Sequence, residues 1–214
     1  MDLSELSARL RKQFDAATEA RDAALSSSRS AVRACGNAIR ALHRYEVEAA
    51  SSLIDEAQAH LDEARRRLEL HPELVNAGFV HDAEKELAEA RITFGLVTDG
   101  DVPSPDDVGV SAAAFVKGMA ESIGELRRHL LDLMRRGDLK RCEELLGAMD
   151  DMYYVLVSMD YPDGITQGLR RLTDVARSII ERTRGDFTTS SIQSSLRAAL
   201  EAKSKTVGHD VGES

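Results

Sequence analysis

The stretch SAAAFVKGMAESIGELRRHLLDLMRRGD, residues 111–138, has the pattern of one helix with a boundary signal at each end. Ser111 is a preferred N-cap residue, and Gly137-Asp138 ends this helix and caps the next one. From Ala112 to Leu126, the only polar side chains are those of Lys117, Glu121, Ser122 and Glu125. A helix that is apolar on almost every side is buried among other elements. This stretch therefore predicts the core helix of an all-α domain.

The flanking sequence repeats the helical period and contains only four prolines. We predict seven helices and no sheet, and we interpret the run MYYVLVSM, residues 152–159, as helix because the 3.6-residue period continues through it. Gly185-Asp186 is predicted to end the sixth helix. One domain is expected over residues 1–203, with a disordered tail at 204–214. The seven predicted helices run from about Leu3 to Arg44, Tyr45 to Leu70, Leu74 to Val97, Ser111 to Arg136, Leu139 to Asp160, Ile165 to Arg184 and Thr189 to Lys203.

Composition excludes several classes of protein. The chain has 214 residues, 43% of them hydrophobic, and a net charge of −9. An acidic chain does not coat DNA nonspecifically, although a local basic face is compatible with this charge. Two cysteines, Cys35 and Cys142, are too few for a disulfide framework and are expected to be small buried residues, which fits a reducing cytoplasm. No leader peptide or membrane-spanning stretch is expected.

A basic stripe is predicted on the first helix. Its four arginines fall within a narrow arc of one helix face, and no acidic residue occurs from Ala23 to Arg44. Guanidinium groups suit phosphate oxygens, so the stripe is a candidate nucleic-acid contact. A solvated face that pairs with acidic neighbours across a helix interface is the alternative, and both interpretations stay open. The arginine stripe consists of Arg29, Arg33, Arg40 and Arg44.

Two pairs of carboxylates are candidate metal ligands. Glu86 and Glu89 are three residues apart on the third helix, and Glu121 and Glu125 are four apart on the fourth, so each pair projects from one side of its helix. Two like charges on a buried helix need a counter-charge, and a hard divalent cation is one such counter-charge. The alternatives are pairing with an arginine such as Arg128 and, on the third helix, a solvated face. On the residues alone, these structural roles are the more common outcome.

Other motifs of catalysis and binding are missing from the sequence. It contains no phosphate-binding glycine loop, no C-x-x-C and no histidine spacing suited to zinc. The absence of E-x-x-H disfavours a ferritin-type di-iron bundle.

Three stretches of the chain resemble the translin/Trax family. The first is SSSRSAVRACGNAIRALHR at residues 26–44, the second is GMAESIGELRRHLLDLMRRGD at 118–138, and the third is DYPDGITQGLRRLTDVARSIIERTRGD at 160–186. Their order and spacing cover about Phe14 to Thr188. The resemblance implies a seven-helix α-superhelical fold that assembles into hollow octamers. It also implies binding of single-stranded RNA or DNA.

The resemblance further implies a metal-dependent endoribonuclease site of the Trax type. There, Glu86, Glu89, Glu121 and Glu125 would be both the catalytic residues and the ligands of Mg²⁺ or Mn²⁺, and the arginine stripe would hold the RNA. The Trax pattern has Asp where this chain has Glu121, a change that moves the carboxylate by about 1.5 Å. The retained acidic quartet makes the chain more Trax-like than translin-like. A non-catalytic RNA-binding shell and a helical scaffold without nucleic acid are the competing expectations.

Overall fold

The computed structural model describes residues 2–74 and 78–210, and this part of the chain is helical and contains no strand. The predicted all-α class is therefore confirmed. A 3-10 turn at Pro72–Leu74 precedes the third helix. The helices in chain order are α1 (Leu3–His43), α2 (Val47–Leu68), α3 (Gly78–Val97), α4 (Pro105–Val108), α5 (Ala112–Arg136), α6 (Leu139–Ser158), α7 (Asp163–Thr166) and α8 (Leu169–Asp210).

The number of helices differs from the predicted seven in two ways. First, the loop after α3 and the turn after α6 each contain a four-residue helix, α4 and α7. Ser104 starts α4 with a capping box to Asp107, which is a local signal that could have been found in the sequence. Second, the predicted sixth and seventh helices form one continuous helix, α8. The expected stop at Gly185-Asp186 was wrong.

Ion pairs on both sides of Gly185 explain why α8 continues. Arg184 reaches both carboxylate oxygens of Asp150 on α6 at 2.7 Å. Arg127 on α5 donates to Asp186 at 2.8 Å and to the Thr183 hydroxyl at 2.9 Å. A glycine inside a helix costs about 1 kcal/mol relative to alanine, and these tertiary contacts offset that local preference.

The chain divides into two compact units. The first contains the chain up to Ser122 together with Tyr161–Leu169, and the second contains Ile123–Asp160 and the chain from Arg170 onward. The helical backbone of α8 runs through Asp210, inside the segment 204–214 that we assigned to a tail. The assignment of one domain with a tail stays a prediction. Within the described residues, the helices are too short or too polar to span a membrane.

Small residues allow the helices of the first unit to pack closely. The inner face of α1 is rich in alanine, and Ala41, Leu42 and Ala50 form a buried cluster where α1 meets α2. Phe94 of α3 packs against this cluster. Because alanine side chains are small, the helix axes can lie close together, and the helices bury apolar surface against each other without large side chains.

Helix α5 is attached to α3 by direct backbone contact at Gly118. A Cβ atom at this position would lie 2.6 Å from the Lys85 carbonyl oxygen and 2.8 Å from the Glu89 nitrogen. The start of α5 is fixed to the same helix, since Ser111 donates its hydroxyl to Glu84 at 2.7 Å. At Gly124, further along α5, an added Cβ would meet only the Ile179 side chain, at 3.9 Å.

Replacing Gly118 by alanine should destabilise the protein by about 1–3 kcal/mol, because the added methyl group must push the α3 backbone away. Urea denaturation would measure the change. Gly147→Ala on α6 is the matched control, since its added Cβ would meet no described atom within 4 Å. That control should leave stability unchanged or raise it by up to about 1 kcal/mol. Equal stability of the two variants would contradict the close contact.

Candidate metal centre and nucleic-acid interface

Three of the four predicted carboxylates lie together. Glu86 and Glu89 come from α3 and Glu121 comes from α5, and one oxygen of each lies within 4.8 Å of the other two. Gly118 is one helical turn before Glu121, so the backbone contact at Gly118 brings Glu121 to the carboxylates of α3. Glu125 is half-buried one turn further along α5 and is not part of this set of three oxygens. We refer to Glu86, Glu89 and Glu121 as the carboxylate cluster.

The sequence analysis missed Lys85, which lies at the carboxylate cluster. Its Nζ atom is 2.5 Å from Glu121 Oε2 and 3.0 Å from Glu86 Oε1. Only 15% of the Lys85 side chain is exposed. Burial acts to lower the pKa of Lys85, but its hydrogen bond to Glu121 and the charge of Glu86 outweigh burial and raise this pKa above its usual range. Lys85 is therefore a protonated ammonium at neutral pH.

Two structural roles were the alternatives to metal binding, namely a solvated face on α3 and pairing with an arginine such as Arg128. Glu89 is only 9% exposed, so this face of α3 is not the solvated face that the sequence also allowed. The cation beside Glu121 is Lys85 of the neighbouring helix and not Arg128, which is exposed. Cross-helix neighbours of this kind depend on how helices pack, so the spacing of residues within one helix could not reveal Lys85.

The thiol of Cys35 on α1 is influenced by the charges of the carboxylate cluster. Cys35 is fully buried, as predicted, and burial raises the pKa of its thiol to about 12. The negative charges of Glu86 and Glu89 contribute to that rise. Cys35 is therefore a neutral thiol at neutral pH.

The carboxylate cluster fits a hard divalent cation. Oxygen ligands lie about 2.0–2.6 Å from Mg²⁺ or Ca²⁺, so two ligands of one ion are at most about twice that distance apart. Separations of up to 4.8 Å lie within this limit for Ca²⁺, whereas Mg²⁺, about 2.0–2.1 Å from each oxygen, requires the oxygens to lie within about 4.2 Å of one another. Lys85 contributes one positive charge beside these carboxylates, and a divalent cation would contribute two. Glu86, Glu89 and Glu121 could hold such an ion.

The arginine stripe lies on the exposed face of α1. Arg29, Arg33 and Arg40 are all exposed, and among the described residues none of the three forms an ion pair with a carboxylate. Arg33 donates to the Ser30 hydroxyl at 2.8 Å, and Arg40 donates to Asn37 at 2.5 Å. These contacts are to neutral groups of the same helix. The interpretation as a face paired with acidic residues of a neighbouring helix is therefore not supported for these three arginines.

Arg44 differs from the other arginines of the stripe. It forms a two-pronged ion pair with Glu46, with nitrogen–oxygen distances of 2.9 and 2.7 Å. Glu46 follows α1 directly in the chain, so this pair is local. Arg44 is consequently less available to a ligand than Arg29, Arg33 and Arg40.

A groove runs between α1 and α3 beside the arginine stripe. Two of its lining residues are Arg29 and Arg33, and its volume is about 390 Å³. On the α3 side it is lined by Asp82, which is one helical turn before Glu86. Ser28 at its inner wall is buried, and its hydroxyl has no hydrogen-bond partner among the described residues. The full lining is Leu25, Ser28, Arg29, Val32, Arg33, Phe79 and Asp82.

Comparison with known proteins gives relatives that cover most of the chain. No protein-family model matches it. An uncharacterized protein of Methanocaldococcus jannaschii is 30% identical over 176 residues, which is 79% of this chain and 75% of the relative. The structure of an AfC3PO–duplex RNA complex is similar with 30% identity and a TM-score of 0.74, covering 90% of this chain and 98% of that chain.

Two further structures of the same kind are similar. The crystal structure of AfC3PO has 29% identity and a TM-score of 0.76, again over 90% of this chain and 98% of that chain. The crystal structure of apo-NeC3PO has a TM-score of 0.77 over 85% of this chain and 95% of that chain. Its 16% identity supports the shared fold alone. With the relatives at 30% identity, these similarities show that the chain belongs to the translin/Trax family.

Proposed function

We propose that this protein is an oligomeric, single-stranded RNA-binding endoribonuclease of the Trax type that depends on Mg²⁺ or Mn²⁺. The observation that carries the proposal is the convergence of Glu86, Glu89 and Glu121 within 4.8 Å of one another. These three carboxylates belong to the quartet that the resemblance to Trax implied. Nucleic-acid binding is supported by the similar AfC3PO structure, which is a complex with duplex RNA.

The chemistry would be hydrolysis of an RNA phosphodiester. Glu86, Glu89 and Glu121 would hold the divalent cation, which when bound supplies a positive charge to a phosphoryl oxygen and a lowered pKa to a water molecule. Glu125, one turn after Glu121 on α5, would orient that water or take its proton. Glu121, where the Trax pattern has Asp, would still act as a ligand, since one of its oxygens lies within 4.8 Å of the α3 carboxylates.

The arginine stripe would hold the RNA through its phosphates. Arg29, Arg33 and Arg40 offer exposed guanidinium groups without a carboxylate partner in the described part of the chain, so binding a phosphate breaks no ion pair. Arg29 and Arg33 also line the groove whose α3 wall leads towards Glu86. A strand held there would pass along the same face of α3 that carries the carboxylate cluster.

Replacing Arg33 and Arg40 together by alanine should weaken RNA binding for every sequence and reduce the slope of log K against log salt by about 1.4, since each lost phosphate contact removes about 0.7. Fluorescence anisotropy of a labelled single-stranded RNA at several salt concentrations would measure both quantities. The matched control is the double change Arg66→Ala and Arg67→Ala, which removes the same charge from an exposed part of α2. If both double variants bind alike, the arginine stripe does not contact phosphates.

Changing Glu125 to alanine should abolish RNA cleavage and leave RNA binding nearly intact, because the phosphate-binding arginines lie on a different helix. A gel assay of a labelled RNA oligomer with Mn²⁺, Mg²⁺ or chelator would measure cleavage. Glu121→Asp should preserve or raise activity because it restores the Trax residue. Glu143→Ala, an exposed carboxylate on α6, is the control and should cleave like the unchanged protein. Loss of folding with Glu125→Ala would instead indicate a structural ion-pair role.

A non-catalytic RNA-binding shell is the alternative function. The arginine stripe supports it as well as it supports an enzyme, and the ion pairs of Lys85 would then give the carboxylates a structural role. Metal-dependent cleavage distinguishes the two functions. RNA binding without cleavage at any divalent metal would favour the shell.

Assembly into a homo-oligomer, with the octamer as the expected size, is part of the proposal. Helix α1 spans 41 residues, and its first half exposes Leu3, Leu10 and Phe14, each at least 42% exposed. The end of α8 exposes Ile192 and Leu196. Apolar stripes of this kind favour burial against another subunit. Light scattering should give a mass near eight times the 23.4 kDa chain, and a 23.4 kDa monomer at micromolar concentration would contradict assembly.

A further inference from the structure

The Lys85 ammonium occupies the position of a cation at the carboxylate cluster. Its Nζ contacts oxygens of Glu86 and Glu121, which are two of the three groups that would hold a divalent ion. We propose that Lys85 is a tethered counter-ion that competes with the divalent cation for these carboxylates, so that metal binding requires release of the ammonium. This inference rests on the proposed function, because it concerns the same metal site.

Competition follows from the charges and the distances. A cation that coordinates the contacted oxygens of Glu86 and Glu121 needs the space and the lone pairs that the ammonium already uses. A divalent ion and an ammonium that share two carboxylates also repel each other, and this repulsion is weakly screened because the Lys85 side chain is only 15% exposed. The ammonium and the divalent cation therefore compete for the same carboxylate oxygens.

The ion pairs also explain how the cluster is stable without metal. Three carboxylates within 4.8 Å of one another repel, and Glu89 is buried, so an uncompensated cluster would strain the contact between α3 and α5. Lys85 supplies one positive charge from within α3 itself. It keeps the site folded at low metal concentration and raises the concentration of divalent ion at which the site becomes loaded.

A structural ion pair without competition makes the opposite prediction for metal affinity. If Lys85 only supports the carboxylates from outside, then removing it disorders the ligands and weakens metal binding. If Lys85 competes, then removing it frees the ligands and strengthens metal binding. The sign of the change in the dissociation constant for Mn²⁺ therefore separates the two roles, without any measurement of RNA cleavage.

The test compares the full-length protein with Lys85→Met, Lys85→Gln and Lys85→Arg by titrating Mn²⁺ and measuring free Mn²⁺ by electron paramagnetic resonance. Both neutral variants should bind Mn²⁺ about tenfold more tightly, because the repulsion between a divalent ion and an ammonium that share two carboxylates is large enough to change affinity by that factor. Lys85→Arg keeps the charge and should bind like the unchanged protein. Lys12→Met is the control, since it removes an exposed lysine of α1 that lies 23 residues, or about 35 Å of helix, before Cys35, and should change affinity less than about twofold by its distant charge alone.

Thermal unfolding provides a second measurement on the same variants. Without metal, Lys85→Met should melt at a lower temperature than the unchanged protein, because the carboxylates lose their counter-charge. Saturating Mn²⁺ should raise its melting temperature by more than it raises that of the unchanged protein. Should Lys85→Met fail to fold, Lys85→Gln retains a hydrogen-bonding side chain without the charge and carries the test.

Each alternative outcome has a defined meaning. Equal or weaker Mn²⁺ binding by the neutral Lys85 variants would overturn the competition while leaving the proposed metal site intact. Absence of Mn²⁺ binding in every variant would overturn both the competition and the proposed metal-dependent function. Tightening by Lys12→Met to the same degree as by Lys85→Met would show a general effect of charge and would also refute a specific contact.

Discussion

The backbone contact between α3 and α5 at Gly118 is the constraint on which the candidate site depends. Because residue 118 has no side chain, α5 approaches the Lys85 carbonyl and the Glu89 amide directly. That approach places Glu121, three residues later, against Glu86 and Lys85. Carboxylates with short reach can share a cation only when their helices lie close together. A larger residue at position 118 would separate the helices and, with them, the ligands.

The charges at the contact between α3 and α5 then determine which ions can bind there. The approach concentrates three negative charges in a partly buried place, and the chain compensates them with one ammonium from α3. Charges are expensive to bury without a partner, so closely spaced carboxylates of this kind favour a cation beside them. The neutral Cys35 thiol of α1 adds no charge of its own. The arginines lie on the exposed face of α1, so in the proposed function the side chains that hold the RNA differ from those that bind the metal.

Helix periodicity was sufficient to predict the all-α class and the burial of α5, because each depends on spacing within one helix. The metal-binding role of Glu86, Glu89, Glu121 and Glu125 came instead from the resemblance to the translin/Trax family, and it stays a prediction. Periodicity was not sufficient for α8, where the pairs Arg184–Asp150 and Arg127–Asp186 override the local stop signal at Gly185. Nor could it find Lys85, whose role arises between helices. Local sequence signals thus predicted most of the helices. Lys85 could be identified as the counter-charge only once the packing of α3 against α5 was known. The arrangement of Glu125 with the other three carboxylates stays a prediction.

Anomalous X-ray diffraction from crystals of the full chain soaked in Mn²⁺ would show whether Glu86, Glu89 and Glu121 bind one divalent cation. We expect one anomalous peak about 2.0–2.6 Å from an oxygen of each of these carboxylates, with the Lys85 ammonium moved away from Glu86 and Glu121. Fully occupied Mn²⁺ sites elsewhere, with Lys85 still bridging Glu86 and Glu121, would contradict this expectation.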